Sequence, residues 1–349
     1  MWREILKTSV SLCLLVLFAI ITMPLSKAQA AMGIPEESGF SGFVNVGLGG
    51  LSVKSNVMAE TGMGIVDLGD DTIDGLNNSP DRQNGVLPVF NFEATYTFAD
   101  SRTQVYVGNL LEDFVRFDMN AAIGVRQEIG DAGLLGANLL ASSIPTEVWK
   151  DPFLVGEKRK QTERDSDGYR LQWSNIYGSG LELRYTARDV EIDDERSGLS
   201  QDLTDLELGL LVRDGDHNRF DVRYEYTSED GRHIVTPGLA YIDHDRDGKA
   251  VSMDGYGLDL NYIYIYQPRL RFVVNAGYGR LDSDTAHPIY GVKNDSTRVG
   301  LSLAAFYAQP FDMEGWVLNV SAAAFQDDHE IRFYDTTVRL LTVGMLRRF

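Results

Sequence analysis

Phe90-Asn91-Phe92-Glu93-Ala94-Thr95-Tyr96-Thr97-Phe98 carries the plainest structural signal in this chain. Every second residue is apolar and those between are polar. Successive side chains of a strand point to opposite faces, so this stretch makes a ribbon with one apolar and one polar face. The same period of two returns in Tyr169–Trp173, Leu181–Tyr185, Phe220–Thr227, Leu258–Tyr266, Leu270–Tyr278 and Val299–Tyr307. About fourteen segments follow it, near 41–54, 87–98, 102–110, 117–128, 134–142, 167–176, 181–190, 218–228, 233–242, 254–266, 270–281, 297–308, 316–326 and 336–349. Most run to roughly 9–14 residues, long for an ordinary strand but right for a tilted strand that crosses a bilayer.

The connections sort by length. Those at 99–101, 130–133, 177–180, 229–231, 267–269 and 309–315 are short, whereas those near 57–86, 143–166, 191–217, 243–253, 282–296 and 327–335 are longer. Only the connection after Leu110 is brief where a long one is due. Short turns at one end and long loops at the other, with an even strand count, are the pattern of an outer-membrane barrel. The fold expected is therefore all-β, a transmembrane antiparallel up-and-down β-barrel spanning residues 31–349, with long outer loops. Apolar-face aromatics fall near strand ends. Phe98, Tyr226, Tyr264, Tyr266, Phe272 and Tyr307 lie at the short-turn end, and Tyr169, Phe220, Tyr256 and Tyr278 at the other, as two interfacial girdles would.

Residues 1–30 read as an export signal. Arg3 and Lys7 precede an apolar run of about 13 residues, too short to span a bilayer, and Ala28-Gln29-Ala30 supplies a cleavage site after Ala30. The protein is thus expected in the outer membrane. The whole chain of 349 residues carries a net charge of −19, which argues against a nucleic-acid partner. Its single cysteine, Cys13, lies in the leader, which excludes a disulfide scaffold and a Cys-based zinc site.

Ile34-Pro35-Glu36-Glu37-Ser38-Gly39-Phe40-Ser41-Gly42-Phe43 resembles the start of a family of Gram-negative outer-membrane proteins known only as a domain of unknown function. Glu147-Val148-Trp149-Lys150-Asp151-Pro152, His287-Pro288-Ile289-Tyr290-Gly291 and Phe333-Tyr334-Asp335-Thr336 fit the same resemblance, which spans most of the chain beyond the leader. It implies a barrel and a location, with no activity and no site residues.

A barrel of this size leaves interior space. Its lumen face is expected to carry Arg126, Arg170, Glu182, Arg184, Arg188, Asp221, Arg223, Glu225 and Asp259, along with Asn275 and Arg298. Such charges either shape the field across a water-filled path or lie as satisfied ion pairs in a closed lumen. Only about ten residues separate the leader from the first strand, too few for a plug, so a restriction has to come from a loop. Leu199, Leu203, Leu206 and Leu210 recur at helical spacing within 193–216, a segment that lies either in the mouth or on the rim. Asp243, Asp245, Asp247 and Asp254 sit at positions 1, 3, 5 and 12 of a loop like that of an EF-hand, with Gly248 at 6. That spacing fits Ca²⁺, and fits equally a solvated hairpin tip. No other cofactor is expected. The five histidines make no catalytic or metal-ligating spacing, and no enzyme is expected.

The function expected is a passive, porin-like channel or facilitator for small polar solutes. The alternative is a non-conducting barrel whose acidic outer loops bind a partner or divalent cations. Expected partners are outer-membrane lipid and lipopolysaccharide, and the barrel-assembly machinery, which would read the last strand ending at Phe349.

Overall fold

The computed structural model of the chain describes residues 33–61, 64–109, 119–144 and 146–349. The expected export signal with Cys13 and the connection after Leu110 lie outside the described residues. Fourteen antiparallel strands close into one barrel. In chain order they are β1 (Gly39–Lys54), β2 (Arg82–Phe98), β3 (Thr103–Asn109), β4 (Met119–Glu128), β5 (Leu134–Ile144, carried on by Thr146–Trp149), β6 (Gln161–Ser174), β7 (Leu181–Ile192), β8 (Gly215–Tyr224, carried on by Tyr226–Thr227), β9 (His233–Arg246), β10 (Met253–Gln267), β11 (Leu270–Ser283), β12 (Ser296–Ala308), β13 (Trp316–His329) and β14 (Thr336–Arg348). Each pairs with its neighbours in sequence. β1 closes the circle on β14, from Phe43 opposite Arg348 to Lys54 opposite Thr337. Closure leaves no free edge, which is what lets a sheet stand in lipid.

Several strands outrun the alternating pattern at the long-loop end. β2 begins at Arg82, β6 at Gln161, and β9 continues to Arg246. These extensions are polar on both faces, as in Gln161-Thr162-Glu163-Arg164-Asp165. A strand that has left the hydrocarbon has water on both sides, and the period of two in hydropathy vanishes although the pairing persists.

The outward face is apolar and exposed. Leu48, Leu139 and Leu341 are each 60% or more accessible. Val46, Ile123, Leu171, Leu239, Leu258, Leu260, Leu301, Leu303 and Val343 join them round the barrel. A contiguous apolar band of this extent is a lipid-facing surface rather than a scatter of exposed side chains. Tyr169, Phe220, Tyr256 and Tyr278 are exposed toward the long-loop end of that band, and Phe98, Tyr226, Tyr266, Phe272 and Tyr307 toward the short-turn end. Among the described residues no helix is long and apolar enough to cross a membrane; the strands do the crossing.

Two apolar clusters lie at the long-loop end. One fills the mouth beside β14, β1 and β2, where inward-facing Leu51, Val53, Leu87 and Val338 receive Val66 and Leu68 of the 55–81 loop. Gly85 makes room there, since a Cβ on it would clash with the Val66 side chain. The other belongs to the loops themselves. Ile73, Phe153, Leu211, Ala250, Ile331 and Phe333 form its centre, with Leu203, Leu210, Tyr290 and Tyr334 packed around it. Those residues come from six loops spaced round the circumference. Loops so placed can share one core only by meeting over the opening.

Candidate functional site

The lumen has two unlike walls. Between β4 and β10 the inward face carries interlocked charges, set on β4, β6, β7, β8 and β10. Arg126 lies 3.9 Å over the Tyr106 ring and 3.5 Å from Glu93. Gln172 donates to Glu182 at 2.9 Å, and Arg184 pairs with Glu182 at 3.0 Å. Arg170 donates to the Thr186 hydroxyl at 2.9 Å. Arg219 holds Asp221 at 2.7 Å and Asp259 at 2.6 Å, with Arg223 3.7 Å from Asp221. Arg170, Arg184, Arg188 and Asp221 are buried, so this wall is packed as well as charged. Buried ions hold only where each has a partner, and here the partners stand on the same strand or two strands away.

The other wall, β10 to β12, is lean. Gly257, Gly277, Gly279 and Gly300 stand at inward positions among Asn261, Asn275 and Ser302. Asn261 donates to Asn275 at 2.6 Å, and Asn275 donates to Ser302 at 3.0 Å. Asn275 and inward-facing Arg271 remain exposed to solvent. A second amide ladder crosses from β13 to β2. Asn319 donates to Asn45 at 2.8 Å and Asn45 to Asn91 at 3.2 Å. The ladder passes over Gly344, where a Cβ would lie 2.9 Å from the Asn45 oxygen.

Arg126, Arg170, Glu182, Arg184, Arg188, Asp221, Arg223, Asp259, Asn275 and Arg298 take the inward parity of their strands. Glu225 stands at the break between the two parts of β8, where its backbone N–H bonds the Gly180 carbonyl. Arg219, which ties two of the expected acids together, stands outside the expected set although it falls within the 218–228 segment. It shares parity with Asp221 and Arg223, and that signal was present. Arg298 pairs with Asp327 at 2.8 Å.

The cap over the long-loop mouth is knitted by the 55–81 loop. Its short strand Met58–Glu60 adds to Thr146–Trp149 of the β5 extension, and Ile73 bridges Val155. Arg159 is buried 4.4 Å over the Trp149 ring and donates to the carbonyls of Asn56 (2.8 Å), Pro152 (3.1 Å) and Asp70. Burial lowers the Arg159 guanidinium pKa to about 10, against the pull of Asp70, Asp71 and Asp151. Asn56 donates to the Phe333 carbonyl at 3.2 Å and Tyr290 to that of Leu76 at 2.9 Å. His287 is fully buried; it accepts from the Ile289 N–H through Nδ1 (3.2 Å), so Nε2 carries the proton facing the Tyr334 hydroxyl at 2.9 Å. Burial pulls its pKa down to about 4 and pushes those of Tyr290 and Tyr334 up.

Two expectations for the loops change. The 55–81 loop shares the restriction at the mouth with the 193–216 segment, whose helix is a five-residue α1 (Asp205–Gly209). Leu206 points to solvent at 87% exposure and Leu199 is exposed too, whereas Leu203 and Leu210 reach the cap core. The acidic 243–254 segment does not wrap into a loop. Asp243 and Asp245 stay in strand β9, Asp243 lies opposite Asp254 on the ladder, and Lys249 pairs with Asp245. Only Asp247 lies in the turn, which is shorter than an ion-wrapping loop needs. Among the described residues, no three His, Cys, Asp or Glu side chains gather as a metal site.

Residues 39–347 match the model of a family described as a protein of unknown function, DUF2860. No curated protein matches the chain. Solved structures similar in fold include a Pseudomonas aeruginosa FadL homologue, at 10% identity and a TM-score of 0.42 over 88% of this chain and 90% of that one. The outer-membrane channel DcaP of Acinetobacter baumannii matches at 11% identity and 0.43, over 93% and 100%. An anion-selective porin from Comamonas acidovorans matches at 9% identity and 0.39, over 90% and 100%.

Proposed function

The chain belongs to the DUF2860 family, whose membership brings no activity with it, and from its geometry we propose an outer-membrane barrel that serves as a passive, capped channel for small polar solutes. The observation that carries the reading is the lean wall. Inward glycines at 257, 277, 279 and 300 leave space, and the amides beside them face solvent below the cap. Water that wets an amide ladder offers a polar solute a path with hydrogen-bond partners along it. The packed, ion-paired wall opposite keeps the barrel rigid beside that path. The long acidic loops face outward from the cell, and the cap sets when the path is open.

The cap also favours a rival. An apolar core shared by six loops is more structure than a loose rim requires, and it suits a non-conducting barrel whose surface binds a partner. Purified protein in a planar bilayer distinguishes the two. The channel reading expects discrete conductance steps, and a smaller unit step for Gly300→Trp, whose side chain enters the lean wall. A correctly folded, heat-modifiable barrel that never conducts, at any voltage or pH from 4 to 8, would reject the channel and leave the rival.

A further inference from the structure

Three cations stand together on the outward face of a strongly acidic chain. Lys54 on β1 is directly opposite Arg82 on β2, and Arg339 on β14 is opposite Ser52, two residues from Lys54. All three share the outward parity of Leu48, Val86 and Leu341. Among the described residues none has a side-chain hydrogen bond or ion pair; the outward carboxylate on the adjoining strand, Asp328, is held by Gln326 at 2.8 Å. Like charges set directly across a ladder repel, so the arrangement costs stability unless something anionic lies on it.

Their height identifies what can lie there. Arg339 is ten residues along β14 from Phe349. At about 3.3 Å per residue and a tilt near 40°, that is roughly 25 Å, the height of the apolar band of an outer-membrane barrel. With the long loops outside, the three cations meet the headgroups of the outer leaflet. Beside Arg339 the surface dips into a groove of about 540 Å³ lined by Gly50, Ala322 and Ala324 between Leu301, Leu303 and Leu341. The groove is apolar and open to the bilayer, of a size for an acyl chain.

We propose that β12, β13, β14, β1 and β2 form a site for a phosphorylated lipid of the outer leaflet, with its phosphates on Lys54, Arg82 and Arg339 and one acyl chain in the groove beside Ala324. The site rests on the outer-membrane reading and is independent of conduction. Charge complementarity selects the occupant: a zwitterionic phospholipid offers the cluster no net charge, whereas a multiply phosphorylated glycolipid brings several charges to three unpartnered bases.

Full-length barrel extracted from membranes in mild detergent tests this by native mass spectrometry, with bis-phosphorylated lipid A and dephosphorylated lipid A as probes. Wild type is expected to bind the phosphorylated probe at least tenfold more tightly. Lys54→Gln/Arg82→Gln/Arg339→Gln should lose that preference. Ala324→Trp, which fills the groove with the charges intact, should weaken both probes. Arg280→Gln, an outward arginine already paired with Asp282, should bind as wild type does. Heat-modifiable migration checks each fold, and Arg339→Gln alone, expected to lose at least threefold, stands in if the triple variant does not assemble. Equal binding of the two probes by wild type, or an undiminished preference in a folded charge variant, would overturn the site.

Discussion

At the scale of single residues, His287 has no access to water and, among the described residues, no carboxylate partner. Its Nδ1 accepts the Ile289 N–H and its ring packs edge-on to Phe153, Tyr290 and Tyr334. A proton on Nδ1 would face that N–H and break the bond. The folded-state pKa near 4 lies below the ordinary 6.5, so the proton binds more tightly when the cap is open. The stability His287 supplies is therefore complete above about pH 6.5 and is lost as pH falls from there toward 4, in all roughly 3 kcal/mol. Protease cleavage of the loops should accelerate across that window in wild type and far less in His287→Leu; parallel acid profiles would contradict it. A second residue-level test concerns the two faces. Leu260 faces lipid and Asn261 the lumen. An arginine at a lipid-facing site near mid-membrane costs about 2–4 kcal/mol. Leu260→Arg should depress the yield of heat-modifiable barrel well below that of Asn261→Arg, and equal yields would contradict the assignment of faces.

Among elements, the 55–81 loop is packed against the inner wall of the opening. Val66 and Leu68 are buried against inward-facing Leu51, Leu87 and Val338, and burying two such side chains is worth about 3–6 kcal/mol. Leu68→Asp should release the loop and enlarge the conductance step, whereas Leu206→Asp, on the exposed side of α1, should leave it unchanged. How far each element was legible follows from its solvent. Where lipid lies on one side and water on the other, hydropathy alternates, and β10 to β12 could be read to within a few residues. Above the bilayer both sides of a strand are wet, and the extensions of β2, β6 and β9 look like loop. The cap was illegible for a different reason. Its core takes one to three residues from each of six segments, and no local period joins Ile73 to Phe153 or Phe333. Trp149, His287, Phe333 and Tyr334, quoted above for their family resemblance, turn out to be cap residues, a role their spacing could not disclose. The lumen was legible as parity, and only its partners were not: nothing local pairs Arg219 with Asp259.

For the molecule as a whole, the barrel closes on its own ladder, β1 on β14, so the cap should yield without unfolding it. Ile73 and Val155 face each other across a β-bridge, close enough in the backbone for a disulfide, and the chain's single cysteine is Cys13, outside the described residues. Ile73→Cys/Val155→Cys, oxidised, should conduct less than wild type at pH 4.5 and recover on reduction. Conductance indifferent to the redox state would place the opening motion elsewhere.

The crossbar that the 55–81 loop makes over the mouth also dictates an order of events. Asn56 leaves the membrane after the first strand, yet its side chain is satisfied by Phe333, 277 positions later. No partial barrel brings those two together; only the zipping of β14 onto β1 does. A contact of such high sequence separation forms late, after the entropy of closing the chain has been met by other pairings. The cap is therefore a seal set last, and a barrel stalled during assembly stays unsealed and open to proteases at its outer mouth.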